Sequence, residues 1–169
     1  VAPAWNGQTL TQLGTTVTTS FQKLAVYSVI ASSSATANLT ATFDNNTILN
    51  TEIMVLRPYS GTITLSGFVS EFHETGTFAN PGLSATTVTS TDRILSFVGT
   101  SAVDKDFNDN TSTSLTVASP FTIEDSIQND GNFGVFKLYS SSATGTGTLT
   151  DTYTPSAGAP QYTHLLFKA

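Results

Sequence analysis

From Thr144 to Thr154 every second residue is threonine: Thr144, Thr146, Thr148, Thr150, Thr152 and Thr154. Between them stand Gly145, Gly147, Leu149, Asp151 and Tyr153. A period of two suits an extended strand, because successive side chains point to opposite faces. The spacing predicts a strand over 144–154 with one face made only of threonine. The same habit recurs upstream. Ala35, Ala37, Leu39, Ala41 and Phe43 alternate with Thr36, Asn38, Thr40 and Thr42. Ile63, Leu65 and Val69 stand against Thr62, Thr64 and Phe68. Ser and Thr, rather than Lys and Glu, are the outward residues of this chain.

That choice shows in the composition. Ser and Thr together make up about 30% of the 169 residues, while charged residues make up 11%, against a usual share of about 25%. Low charge with regular alternation points to strands, whereas disorder is marked by low hydrophobicity with high charge. The net charge is −6, and the basic residues Lys23, Arg57, Arg93, Lys105, Lys137 and Lys168 are scattered. With no basic patch, nucleic-acid binding is not expected. There is no cysteine, hence no disulfide framework or thiolate metal site. No run of about 18 apolar residues is present to span a membrane. The start Val1-Ala2-Pro3-Ala4 reads as a mature chain after signal removal. Sequons at Asn38, Asn45 and Asn110 agree with an extracellular or cell-surface location.

Further strands are expected within Thr9–Ser20, Lys23–Ala31, Ile48–Leu56, Arg93–Val98, Ser114–Ala118, Phe121–Glu124 and Phe133–Tyr139. Asp44-Asn45-Asn46 turns the chain, and Thr75–Ser84, with Gly76, Pro81 and Gly82, reads as a loop. About ten strands, no helical period and no fixed repeat predict an all-β fold: a single β-sandwich of jelly-roll or immunoglobulin-like type. The sandwich is expected over 1–154. Residues 155–160, Pro155-Ser156-Ala157-Gly158-Ala159-Pro160, form a small-residue linker, and 161–169 a terminal strand.

Few residue groups suggest chemistry. Asp104-Lys105-Asp106-Phe107-Asn108-Asp109-Asn110 opens like a calcium loop, with Asp104, Asp106, Asn108 and Asp109 as candidate oxygen ligands. An EF-hand wants Gly where Asp109 stands and Glu where Leu115 stands, so a solvated turn is the plainer reading. Glu71 and His73 share a strand face, but zinc or acid–base work needs a third partner, and His164 is the one other histidine. No nucleophile elbow of the G-x-S-x-G kind is present, and Gly145-x-Gly147 reads as close packing rather than a nucleotide motif. No catalytic residues are assigned and no cofactor beyond calcium is suggested.

The stretch from Asn38 to Pro155 is similar to the secreted choice-of-anchor β-sandwich surface proteins. The likeness lies in Asn38–Asn46 followed by dense β runs, an acidic Thr-rich turn, and the closing Thr148-Leu149-Thr150-Asp151-Thr152-Tyr153-Thr154-Pro155. In architecture the chain also resembles subunits of donor-strand extracellular filaments. That resemblance implies a non-enzymatic structural protein whose partner is itself, a homopolymer joined by a terminal strand that completes a neighbour's sheet. Candidate assembly residues are Trp5, Leu10 and Leu13 at one end, and Tyr162, Leu165, Leu166 and Phe167 at the other. A viral jelly-roll capsid or spike subunit and a carbohydrate- or surface-binding module are the alternatives.

Overall fold

A computed structural model of the chain describes residues 2–18, 23–31, 36–42, 67–73, 82–102, 115–131, 134–155 and 161–168. Among these, the regular structure is all strand, in several antiparallel sheets, none of them closed. The strands are β1 (Ala4–Trp5), β2 (Gln8–Thr9), β3 (Thr11–Thr18), β4 (Lys23–Ser28), β5 (Leu39–Thr40), β6 (Gly67–His73), β7 (Gly82–Val88), β8 (Arg93–Ala102), β9 (Leu115–Val117), β10 (Thr122–Gly131), β11 (Gly134–Thr144), β12 (Gly147–Pro155) and β13 (Gln161–Lys168).

The largest sheet has the order β10-β11-β8-β13-β6. Strand β13 therefore lies inside it, antiparallel to β8 on one side and to β6 on the other. This sheet carries core clusters on both faces. On one face Ile94 and Val98 of β8, Tyr139 and Ala143 of β11, and Tyr162 and Leu166 of β13 meet Val88, Leu115, Leu149 and Tyr153 from the β7-β12-β9 sheet. On the other face Leu95, Phe97, Leu165 and Phe167 pack on Val17 and Leu24 of the β3–β4 pair. Phe97 and Phe167 meet edge-on there, with ring centres 5.9 Å apart. This double coverage explains why β8 and β13 are apolar on both faces, where a half-exposed strand would alternate.

Several sequence expectations are corrected. The 144–154 run is not one strand: β11 ends at Thr144, the chain turns, and β12 begins at Gly147, whose φ of 89° suits glycine. The threonine face is real beyond the turn, for Thr148, Thr150 and Thr154 are exposed while Leu149, Asp151 and Tyr153 are buried. The reading of 75–84 as a loop fails at its end, because Gly82–Val88 pairs with β12. Ser84 and Thr150 exchange a hydroxyl hydrogen bond of 2.7 Å across that pair, a polar contact that no hydrophobic pattern announces. The strand expected at 121–124 runs on to Gly131 as half of a hairpin with β11. Its outer residues are polar because β10 is an edge of its sheet. A bulge between Ile123 and Asp125 interrupts it, and the Glu124 carboxylate there accepts from Arg93 Nη2 and, at 2.5 Å, from Ser142 Oγ. Among the described residues of the 35–43 alternation, Leu39–Thr40 forms a ladder with β1. The Ile48–Leu56 expectation lies outside the described residues.

Candidate functional site

Among the described residues, the most unusual chemistry is polar and lies between two sheets. Period-two alternation points Ile94, Ser96 and Val98 of β8 to the same face, as it does Tyr162, His164 and Leu166 of β13. On β11 it does so for Tyr139, Ser141 and Ala143, and on β12, from the facing sheet, for Leu149, Asp151 and Tyr153. Most of these side chains build the apolar core. The exceptions are Ser96, Ser141, Asp151 and His164, and they meet one another around the Tyr153 hydroxyl. Ser96, Asp151, Tyr153 and His164 are 0% exposed and Ser141 is 1% exposed.

Their contacts form one connected network. Ser141 Oγ lies 2.7 Å from the Tyr153 hydroxyl, which lies 2.9 Å from Ser96 Oγ. Ser96 Oγ donates to Asp151 Oδ2. His164 Nε2 lies 2.6 Å from the same carboxyl oxygen and 3.1 Å from Ser96 Oγ. The donors and acceptors assign themselves once the carboxylate is taken as acceptor only. Ser141 donates to Tyr153, Tyr153 to Ser96, Ser96 to Asp151, and His164 Nε2–H to Asp151. The whole chain of hydroxyls thus ends on one carboxylate, as a satisfied buried network must. The His164 ring also stands edge-on to the Tyr153 ring, with centres 5.6 Å apart. Burial, foremost, holds the Tyr153 phenol protonated well beyond its ordinary value of 10.0. The nearby Asp151 charge adds to this, and the hydrogen bonds with Ser141 and Ser96 oppose it.

A serine, a histidine and an aspartate in contact invite comparison with a nucleophilic relay. The connections differ. In a relay the imidazole uses one nitrogen toward the serine and the other toward the carboxylate. Here a single nitrogen, Nε2, faces both, and Ser96 bonds the carboxylate directly. Ser96, Asp151 and His164 are all buried. What the arrangement can do is join four strands, β8, β11, β12 and β13, across two sheets through directional bonds.

The residues singled out from sequence fall elsewhere or around this network. Tyr162 and Leu166 flank His164 on its own face, and Leu165 and Phe167 fill the opposite one. Glu71 of β6 stands in register opposite His164, and His73 opposite Tyr162. Trp5 is half-buried in β1, which pairs with β2 and β5. Leu10 is half-buried, and its amide donates to the Pro3 carbonyl at 2.8 Å. Leu13 packs against the Val17–Leu24 cluster. Asn38 is exposed. Asn45, Asn110 and the candidate calcium ligands Asp104, Asp106, Asn108 and Asp109 lie outside the described residues. Among the described residues, no group of three or more His, Cys, Asp or Glu is placed to hold a metal ion, and no helix is long and apolar enough to cross a membrane.

Sequence reading missed the network itself. The available signal was Asp151, the one charged residue on the inward side of the threonine ladder. A buried polar residue is more informative than an exposed apolar one. No family model matches the chain, and no curated protein or solved structure matches it.

Proposed function

We propose that this chain is a non-enzymatic structural protein of the cell exterior, a β-sandwich that assembles with copies of itself by exchanging strand β13. The observation that carries this reading is the place of β13. It fills an interior slot of the five-stranded sheet, between β8 and β6. It makes eight register pairs with β8 and seven with β6, and Tyr162 to Phe167 are all buried. A slot closed by this one strand has the same shape in every copy. A second copy's β13 offers it the same main-chain bonds and the same side chains, so exchange conserves every contact while linking two molecules. Because β13 is covered on both faces, the exchange belongs to folding, before the strand docks, rather than to extraction from a finished molecule.

The N-terminal segment is a weaker donor. Its β1 makes two register pairs on each side, with β2 and β5. The exposed hydroxyl surface, with its low charge, supports a role outside the cell, where the β-sandwich would be the repeating body of the assembly.

The test uses the absence of native cysteine. Gln161 of β13 and Ser101 of β8 stand opposite one another, so Gln161→Cys with Ser101→Cys reports whose β13 fills whose slot. After assembly and oxidation, a ladder of cross-linked chains on a non-reducing gel, together with rods under the electron microscope, is the expected result. Protein that runs entirely as internally bridged monomer overturns the exchange reading.

A further inference from the structure

We infer that the Asp151–His164 contact is a recognition key, which admits to the slot between β6 and β8 only a strand carrying histidine at that register. In its intermolecular half this rests on the strand-exchange reading above. Main-chain hydrogen bonds cannot choose among strands, since every residue but proline offers the same donor and acceptor. The apolar positions choose weakly, because many strands alternate Leu, Phe and Tyr. Asp151 chooses sharply. It sits at 0% exposure on β12, fixed in the layer that faces the slot, and the incoming strand supplies one of the donors its carboxylate receives, His164 Nε2 at 2.6 Å.

Each wrong strand meets a specific penalty. A slip of β13 by one residue turns its faces over and brings Thr163 or Leu165 toward Asp151. A slip by two keeps the faces but brings Tyr162 or Leu166. Leu166 has no donor, and Tyr162 is a larger side chain than the imidazole it would replace. A foreign strand with an apolar residue there leaves the carboxylate with fewer donors in a site closed to water. Removing a partner from a buried charge is among the costlier single changes in a core. Specificity built on such a penalty, rather than on added attraction, rejects competitors without needing tighter binding of the right strand. The partner the key fits is β13 of this chain or of a second copy.

Three full-length variants test the key: His164→Leu, Asp151→Leu and the double. Each single change is expected to lower the folded-to-unfolded equilibrium constant between about tenfold and about a thousandfold. The double should be less impaired than the product of the two singles, because an apolar pair replaces the polar one, although Ser96 also loses Asp151 as its acceptor. A double variant as impaired as the product of the two singles overturns the key. Where a leucine variant does not fold, His164→Gln against His164→Met decides. Gln keeps an N–H donor and Met of similar length does not, so equal loss in both overturns the key as well.

Mixing separates the key from the exchange. Asp151→Leu chains and His164→Leu chains, refolded together, can satisfy every slot only by swapping. The slot of an Asp151→Leu chain then takes the strand that carries the His164→Leu change. The slot of a His164→Leu chain, which keeps Asp151, takes the strand that keeps His164. Mixed assemblies more stable than either variant alone are the expected result. Recovery in the double variant without mixed assemblies confines the key to a single chain and removes its role between copies, along with the exchange reading itself.

Discussion

Raising the pH past the titration of an ordinary phenol isolates what Tyr153 does. Its hydroxyl is buried between Ser141 and Ser96, and burial holds its proton well above the ordinary value of 10.0. In the unfolded chain the same phenol ionises near 10. The folded value is the raised one, so the contribution to stability is complete below pH 10 and is lost as pH rises toward the folded value. Between those limits the unfolded state binds fewer protons than the folded state, and stability falls by about 1.4 kcal/mol per pH unit. From pH 10 to 11.5 that amounts to roughly 2 kcal/mol. Tyr153→Phe removes this titration and also two hydroxyl contacts, at a cost of about 1–3 kcal/mol at neutral pH. The assay is urea unfolding of both proteins at several pH values between 8 and 11.5, with linear extrapolation to water. The difference between the two proteins cancels the other four tyrosines. It should be constant up to about pH 9.5 and then shrink by about 2 kcal/mol. A difference that stays flat to pH 11.5 refutes the account of Tyr153 as a buried, protonated member of the network.

Two further outcomes follow from the packing. Phe167→Ala empties a fully buried position against Phe97, Leu95 and Val17, and should lower unfolding stability by about 3–5 kcal/mol, measured by the same denaturation; a loss under about 1 kcal/mol would show the β3–β4 pair is not seated on this face. At the β7–β8 turn, the Asp92 carboxylate accepts the Thr89 amide at 2.7 Å, and that bond foremost holds its pKa below the ordinary 3.8. Its contribution is present above 3.8 and lost as pH falls through the folded value, so a carbon-detected titration should place Asp92 below 3.8 in the native chain and not in Thr89→Pro, which lacks the amide.

The class of fold was written in the chain. A side-chain period of two is imposed by the strand backbone, so Thr148, Thr150 and Thr154 outside and Leu149, Asp151 and Tyr153 inside were legible before any partner was known. The apolar run Tyr162–Phe167 was legible as a strand for the same reason. Edges were not. The polar strands β7 and β10 carry few apolar residues, and only their partners β12 and β11 make them strands. The break at Gly145–Gly147 was hidden because a turn can keep a threonine at the expected step. That β13 lies inside a sheet emerges only in three dimensions, because pairing order is set by contacts far apart in the chain. The same holds for the joining of Ser96, Ser141, Asp151, Tyr153 and His164 into one network. Local pattern fixes which way each of those side chains points, but which strand faces which is settled by burying two sheet faces together, and no local period encodes that choice.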